Sequence, residues 1–155
     1  MLIPTVLNCK THTDSRGSMT PIIEEPFINA VCVKISRSTK GVIRGFHWQR
    51  GKSSQVKYIF ILRGEIHDVA VKVDEFDRIT NESHMFRLRQ NESKVLKIPS
   101  NFAHGFQCIS EDCEILYICD GPYSVESELT FNPLRWHNAW PIVKYTVSEK
   151  DNNGI

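Results

Sequence analysis

The fold class of this chain is indicated most directly by the run Val56-Lys57-Tyr58-Ile59-Phe60-Ile61-Leu62-Arg63-Gly64-Glu65-Ile66-His67-Asp68-Val69-Ala70-Val71-Lys72-Val73. Two segments rich in β-branched and apolar residues meet at Arg63-Gly64, and this pattern predicts a β-hairpin. Because side chains alternate between the two faces of a strand, Ile66 and Asp68 are expected on one face of the second arm. His67 is expected on the other face. The run therefore predicts two paired strands whose faces differ in chemistry.

Further β-rich runs extend outward from this segment in both directions, at a spacing of roughly eight to twelve residues. They cover residues 30–36, 41–49, 84–88, 95–99, 102–109, 113–119 and 142–147. The runs 102–109 and 113–119 are predicted to pair as a second hairpin. No run of a dozen residues has a helical period, and neither a linker nor an internal repeat divides the chain. The sequence predicts a single all-β domain over residues 1–155, a sandwich or barrel.

Composition narrows the possible classes of function. The 155 residues are 41% hydrophobic, enough for one core, and the formal net charge of +1 does not indicate a nucleic-acid surface. The start Met1-Leu2-Ile3-Pro4-Thr5-Val6 lacks the features of a signal peptide, and no apolar run approaches membrane-spanning length. Five cysteines without CxxC spacing favour free thiols over disulfides or a zinc site. We expect a reduced, cytoplasmic protein that binds neither nucleic acid nor membrane.

The stretch Gly41-Val42-Ile43-Arg44-Gly45-Phe46-His47-Trp48-Gln49 holds the first candidate site residues. In an unbroken strand, Arg44 and His47 would lie on opposite faces. Gly45 between them predicts a bulge or bend that turns both side chains into one cavity. There Arg44 would bind an anion and His47 would move a proton near neutral pH. On these nine residues alone, an ordinary strand with a surface arginine and a hydrogen-bonded histidine fits equally well.

Other polar residues also occur in the middle of apolar strands, where a polar group is unfavourable unless it is paired. Lys57 alternates in phase with Ile59 and Ile61, so it is expected on an apolar inner face, where it would stabilise developing negative charge. His104 and Tyr117 occupy similar positions in later strands. These residue types suit proton abstraction next to a carbonyl. The assignment places His47 as base, Tyr117 or Tyr123 as acid, and Lys57 with His104 as stabilisers of an oxyanion.

Competing chemistries find less support in the sequence. Barrels of this kind that bind a metal typically carry His-x-His, whereas here the position two after His47 is Gln49, and His104 supplies no second half of such a site. A nucleophile motif and a glycine-rich phosphate loop before a helix are also absent. We therefore expect no metal and no cofactor, with phosphate held by arginine side chains.

Taken together, the ordered motifs of the chain resemble the dTDP-4-dehydrorhamnose 3,5-epimerase family, which are sugar-nucleotide epimerases of the cupin jelly-roll fold (a double-stranded β-helix). The most specific blocks are Arg44-Gly45-Phe46-His47-Trp48-Gln49 and Ile98-Pro99-Ser100-Asn101-Phe102-Ala103-His104-Gly105-Phe106. The other matching blocks, in family order, are Asp14-Ser15-Arg16-Gly17, Gln55-Val56-Lys57, Arg63 to Val71, Leu116-Tyr117, Gly121-Pro122-Tyr123-Ser124, Trp140-Pro141 and Val147 to Asp151. The resemblance covers nearly the whole chain.

The resemblance implies catalytic roles for four residues. His47 would be the general base, and Asp151 would orient it and stabilise the imidazolium, although on sequence alone Asp151 falls in a polar tail. Tyr117 would return a proton from the opposite face of the sugar. Lys57, with His104, would hold the C4 oxygen as it becomes an enolate.

The resemblance also implies the binding partners of the site. Arg44 would bind the diphosphate of a nucleotide-diphospho-4-keto-6-deoxy sugar, and Arg16 would reach in from a partner subunit of a homodimer. Tyr123 would line the pocket. The matching blocks also place Gln49 and Asp68 among the substrate-binding residues.

Two departures from the family pattern leave the substrate open. Ser18-Met19-Thr20-Pro21 stands where the family usually has aromatic residues and a glutamate, and the run before Gly41 lacks its usual amides. The base of the nucleotide, and inversion at C3, C5 or both, stay open. The alternatives are a sugar-nucleotide 3,4-ketoisomerase, which would carry a second histidine where Gln49 stands, and a catalytically silent cupin that binds a nucleotide sugar.

Overall fold

The computed structural model describes residues 2–22, 32–136 and 139–155. Its strands are β1 (Thr5–Asn8), β2 (His12–Asp14), β3 (Gly17–Met19), β4 (Cys32–Thr39), β5 (Ile43–Gln49), β6 (Lys57–Arg63), β7 (Glu65–Val73), β8 (Ile79–Arg89), β9 (Lys94–Ile98), β10 (Phe102–Cys108), β11 (Asp112–Cys119) and β12 (Glu128–Thr130). Two short 3-10 helices (Gly51–Ser53 and Pro133–Arg135) and one short helix, α1 (Glu149–Asn152), complete the described elements. None of the helices in this part of the chain is long and apolar enough to cross a membrane.

The strands form two five-stranded antiparallel sheets. The first sheet has the order β1-β9-β6-β11-β4, and the second has the order β12-β5-β10-β7-β8. Strands β2 and β3 form a separate two-stranded ribbon. The main apolar core lies between the two large sheets, because it combines side chains of β6, β9 and β11 with side chains of β7, β8 and β10. The all-β class predicted from the strand spacing is confirmed.

The two predicted hairpins are wrong, because in each of them the two strands lie in opposite sheets. β6 belongs to the first sheet and β7 to the second, and only Gly64, with φ of +78°, separates them. A two-stranded hairpin normally needs at least two loop residues, so this one-residue link turns the corner between sheets. β10 and β11 are likewise divided between the sheets, and β10 pairs with β5 and β7 instead.

The face assignment within β7 is confirmed. Ile66 and Ala70 enter the core between the sheets, whereas Val69 and Val71 belong to a second cluster. That second cluster covers the outer face of the second sheet, and the later segment containing Ala139 packs against it. Burial on both faces explains why this strand reads as a nearly continuous apolar run.

Two further predictions about chain segments need correction or extension. The strand predicted over residues 142–147 is wrong, because the structure has only an isolated parallel bridge there, between Val42 and Thr146. The side-chain amide of Gln107 hydrogen-bonds both the N–H and the C=O of Ile142, each at 2.9 Å. These two bonds satisfy the Ile142 backbone in the way that a neighbouring strand would. The strand predicted over 30–36 runs from Cys32 to Thr39; residues 30 and 31 lie outside the described residues.

Candidate active site

A cavity of about 210 Å³ opens between the two sheets. Strands β4, β6 and β11 supply its lining from the first sheet, and β5, β10 and β12 supply it from the second. The lining residues are Lys34, Ile35, Ser36, Arg44, His47, Trp48, Gln49, Gln55, Lys57, His104, Phe106, Tyr117, Tyr123 and Glu128. Seven of the ten residues singled out from the sequence therefore meet here: Arg44, His47, Gln49, Lys57, His104, Tyr117 and Tyr123.

The bulge predicted at Gly45 is present. On β5 and β10, His47 lies opposite His104 and Arg44 lies opposite Phe106, so three steps along β5 face two along β10. Gly45 has φ of +129°, in the region that favours glycine. The extra residue turns Arg44 and His47 to the same side, and both line the cavity.

Gly45→Ala is expected to lower the free energy of unfolding by more than about 2 kcal/mol. A Cβ at this position would lie 2.5 Å from the Gly105 Cα and 2.8 Å from the His104 carbonyl oxygen, and neither backbone atom can move freely. Gly17→Ala is the matched control, because Gly17 has a similar φ of +125° with nothing within 4 Å of the added atom. Urea unfolding of both variants measures the difference. Equal losses would show that backbone strain, not the close approach of β5 to β10, dominates at Gly45.

The His47 side chain is paired with Asp151 of α1. The His47 Nε2 lies 2.7 Å from Asp151 Oδ1, while Asp151 Oδ2 accepts the Gly45 N–H at 3.1 Å. Burial raises the pKa of Asp151, but the hydrogen bonds from His47, the Gly45 N–H and Ser148 outweigh it, so the net pKa is lowered. Asp151 therefore stays ionised near neutral pH. With Nε2 engaged, Nδ1 is the ring nitrogen left to accept a proton.

Asp68 is not a lining residue, in contrast to its predicted place among the substrate-binding residues. It lies behind His104, fully buried, with Oδ2 2.7 Å from His104 Nε2. Its place on the inward face of β7 explains this position, because that face is covered by the core. Burial lowers the pKa of His104, and the Asp68 carboxylate opposes the shift. Asp68 is therefore placed to orient the His104 ring.

Lys57 lies on the inner face of β6 in phase with Ile59 and Ile61, as predicted. Its side chain is buried, and Nζ donates a hydrogen bond to the His47 carbonyl at 2.9 Å. Burial lowers the pKa of Lys57 to about 8. The ammonium is thus still mostly protonated at neutral pH, which suits it to stabilise negative charge in the cavity.

Tyr117 lies on the wall opposite His47, because it belongs to β11 of the first sheet and His47 belongs to β5 of the second. Burial raises the pKa of Tyr117, so the phenol keeps its proton at neutral pH. Its ring meets the His104 ring edge-on with centroids 6.1 Å apart. A histidine and a protonated phenol therefore face each other across one cavity.

The rim of the cavity holds a group that the sequence did not indicate. The Tyr123 hydroxyl donates to Glu128 Oε2 at 3.3 Å, and Lys150 Nζ bonds the same oxygen. Glu128 lies in the short strand β12, where no motif singles it out. Gln49 Oε1 accepts the Ser124 N–H at 3.2 Å and so holds the segment that carries Tyr123. This arrangement ties the loop, β12 and α1 together next to Asp151.

The two arginines have different positions. Arg44 Nε donates to Ser38 Oγ at 2.9 Å and Nη2 donates to the Arg37 carbonyl at 3.2 Å, which fixes the guanidinium against β4. Arg16 lies in the turn between β2 and β3, where it pairs with Asp14, and it does not line the cavity of its own chain. Its entry into the cavity of a partner subunit stays a prediction.

Fold and site together define an acid–base isomerase, in which a His–Asp pair and a tyrosine face each other between two sheets beside a buried lysine. The family model for dTDP-4-dehydrorhamnose 3,5-epimerase matches residues 4–155. The chain belongs to this family, and it is an epimerase of nucleotide sugars.

Individual relatives agree with the family match along almost the full chain. The dTDP-4-dehydrorhamnose 3,5-epimerase of Shigella flexneri is 32% identical over 164 residues, which cover 98% of this chain and 91% of the relative. That of Methanothermobacter thermautotrophicus is 31% identical, covering 96% and 86%. These alignments extend through both walls of the cavity.

Solved structures confirm the cupin jelly-roll fold. The enzyme from Sulfolobus tokodaii matches with a TM-score of 0.87 and 30% identity, over 97% of this chain and 88% of that one. The 3,5-epimerase from Legionella pneumophila, solved in complex with dTDP-4-keto-L-rhamnose, matches with a TM-score of 0.86 and 28% identity, over 97% and 86%.

Proposed function

We propose that this protein inverts C3 and C5 of a dTDP-4-keto-6-deoxy sugar by removing a proton from one face of each carbon and returning one to the other. The observation that carries the proposal is the placement of His47 and Tyr117 on opposite walls of one cavity. A base and an acid on the same wall would return the proton to the face from which it came.

The reaction begins at a carbon next to the 4-keto group, whose hydrogens the carbonyl acidifies. His47 Nδ1 takes the proton, and the electron pair of the C–H bond moves onto the C4 oxygen to form an enolate. Asp151, 2.7 Å from Nε2, stabilises the imidazolium that results. Lys57 donates a hydrogen bond to the enolate oxygen, and His104, oriented by Asp68, lines the same part of the cavity.

Reprotonation completes the inversion. The enolate collapses back to the ketone as its carbon takes the phenolic proton of Tyr117 from the opposite face. His47 then holds one extra proton and Tyr117 lacks one, and exchange with water restores both. No electron leaves the substrate overall, so the cycle needs neither an oxidant nor a reductant.

Binding of the nucleotide part is assigned to the outer region of the cavity. Arg44 would hold the diphosphate, since a guanidinium held by β4 presents its remaining N–H groups as a preorganised donor. The Tyr123 ring, 47% exposed at the rim, would pack against the sugar or the base. The dTDP moiety is proposed because the Legionella relative was solved with a dTDP-linked keto sugar.

The state of the protein in solution is part of the proposal. Residues 1–155 would act as one domain in a cytoplasmic homodimer. The Arg16 side chain is 88% exposed on the β2–β3 ribbon, outside its own cavity, and β4 is the outermost strand of the first sheet among the residues that the structure describes. A two-fold dimer would cover that edge and bring each Arg16 to the partner's site.

Proton NMR in deuterated water tests the reaction. With dTDP-4-keto-6-deoxy-D-glucose, the H3 and H5 signals are expected to disappear as both centres are inverted. In Tyr117→Phe, exchange is expected to continue at His47 while inverted product falls by about 10²-fold or more, because the donor on the opposite face is gone.

Each other outcome of this experiment has a defined meaning. Exchange at one carbon would make the protein a mono-epimerase, and a 3-keto product in the same spectra would identify a ketoisomerase. Inversion at the wild-type rate in Tyr117→Phe would remove Tyr117 as the acid. Absence of exchange with every 4-keto nucleotide sugar tested would contradict the enzymatic proposal and favour a binding module.

A further inference from the structure

Lys34 is a charged residue of the cavity that the mechanism above does not use. It lies on β4, the edge strand of the first sheet, and shares the inward face with Ser36 by strand alternation. Its Nζ lies 5.7 Å from the ring centroid of Tyr117 and 5.5 Å from that of Tyr123. The ammonium is thus held by two aromatic faces at the opening of the cavity.

The charges of the cavity do not balance. Glu128 is the one carboxylate among the described lining residues, and it is already bonded by Lys150 and Tyr123. Within the described part of the chain, Lys34 has no carboxylate within ion-pair distance, and the bonds of Arg44 go to the neutral groups of Ser38 and Arg37. Besides Lys57, two cations, Lys34 and Arg44, therefore face the cavity without a compensating anion.

The Ser36 hydroxyl lies between these cations on the same face of β4. Ser36 Oγ is a buried side-chain oxygen of the lining that lies next to the Tyr117 phenol. Ser36 lies midway along β4 between Lys34 and Ser38, the residue that holds Arg44. Four steps along a strand span about 13 Å. The side chains of Lys34, Ser36 and Ser38 therefore form a polar track along one face of β4, with the Lys34 ammonium at one end and the Arg44 guanidinium at the other.

The chemistry of the substrate limits what this track can bind. A 4-keto-6-deoxy sugar is uncharged, and the enolate formed from it lies at Lys57. The remaining negative charge is on the diphosphate. We infer that Lys34 is a specificity-determining residue that binds one phosphate of the nucleoside diphosphate while Arg44 binds the other, with Ser36 Oγ donating between them.

This inference rests on the proposed function only in taking a nucleoside diphosphate as part of the substrate. In the free protein, Lys34 stays on the two tyrosine rings. When the substrate enters, the ammonium exchanges the weaker contact with the rings for a charge-assisted bond to phosphate. Selectivity for nucleoside diphosphates over uncharged nucleosides follows from this exchange.

Calorimetric binding of dTDP and of thymidine to Lys34→Met tests the inference. Because the variant loses a charge-assisted hydrogen bond to phosphate, Kd for dTDP is expected to rise about tenfold or more, with thymidine affinity unchanged. In turnover, KM should rise while kcat changes little, and Lys34→Arg should restore most of the affinity. Lys97→Met is the matched control, since Lys97 also lies over a tyrosine, 5.3 Å from the Tyr58 centroid, but lines no part of the cavity.

The outcomes separate this inference from the proposed function. Unchanged dTDP affinity in Lys34→Met, or equal losses for dTDP and thymidine, would overturn the phosphate role. Failure of the wild-type protein to bind any of dTDP, GDP, UDP and CDP would overturn it as well. Tight dTDP binding that depends on Lys34, without epimerisation of any 4-keto sugar, would support the inference and overturn the proposed reaction.

Discussion

Replacement of His47 by asparagine is expected to lower kcat by about 10²–10⁴-fold and to abolish exchange of the substrate hydrogens with deuterated water. Asparagine is polar and fits the bulge of β5, but its amide has no nitrogen that accepts a proton near pH 7. Because His47 removes the proton in the first step, its loss stops exchange as well as inversion. This separates it from Tyr117→Phe, in which exchange continues.

Two companion variants sharpen the His47 test. Asp151→Asn keeps the shape of the pair but removes the charge that stabilises the imidazolium, so it is expected to lower kcat by a smaller factor while exchange stays measurable. His84→Asn is the matched control, because His84 lies on β8 against Phe102 and Glu82, away from the cavity. Exchange that survives in His47→Asn would keep the enzyme but remove His47 as its base.

Lys57→Met is expected to reduce kcat by about 10²–10³-fold, because the enolate loses a preorganised cation, and at the same time to stabilise the folded protein. The pKa of Lys57 is lowered to about 8 from an ordinary value of 10.5. Such a shift corresponds to about 3 kcal/mol of burial penalty for the ammonium at neutral pH. The lost hydrogen bond to the His47 carbonyl offsets roughly half of this penalty. The free energy of unfolding of Lys57→Met at pH 7 should therefore exceed that of the wild-type protein by about 1–2 kcal/mol.

The stability difference between the wild-type protein and Lys57→Met should depend on pH. A lysine whose folded pKa lies below its unfolded pKa is protonated more readily in the unfolded chain. The free energy of unfolding of the wild-type protein should therefore rise as the pH rises from about 8 to 10.5. The difference in stability in favour of Lys57→Met should decrease over the same range. Urea unfolding at pH 7 and pH 10 measures both effects. A variant that is less stable at both values would show that the cavity favours the charge on Lys57.

Local chemistry made several features of the site predictable. A glycine between Arg44 and His47 indicates the bulge that turns both inward, because only a break in alternation brings residues three apart to one face. The phase of Lys57 with Ile59 and Ile61 indicates its inner position for the same reason. These inferences concern a single strand and its own periodicity.

Strand pairing was not predictable in this way. The apolar runs of β6 and β7 are buried on nearly every face, so their pattern carries no information on which neighbour each strand selects. The pair Arg63-Gly64 between two apolar runs indicates a two-residue hairpin turn, yet β6 extends through Arg63 and the single residue Gly64 leads into β7 of the other sheet. A partner strand is selected by the packing of the whole sandwich.

Three residues at the site, Asp151, Glu128 and Lys150, depend on such distant packing. Asp151 is in a polar segment without periodicity. It reaches His47 because α1 begins at the Ser148 cap and is held to β12 by the contact of Lys150 with Glu128. Only the family resemblance identified it. Glu128 and Lys150 contact each other across 22 residues of sequence, and no local pattern connects them.

The division of consecutive strands between two sheets has a consequence for how the enzyme acquires activity. His47 and Asp151 are separated by 104 residues, and Asp68 and His104 by 36. Chains dominated by such remote pairings fold slowly, in milliseconds to seconds. Long loops must close, at a cost in chain entropy, before the stabilising contacts can form. Neither sheet alone holds a base opposite an acid, so the two halves of the sandwich must close before any turnover begins. Recovery of activity after dilution from denaturant should therefore follow the slowest folding phase, without an earlier burst from a partly folded chain.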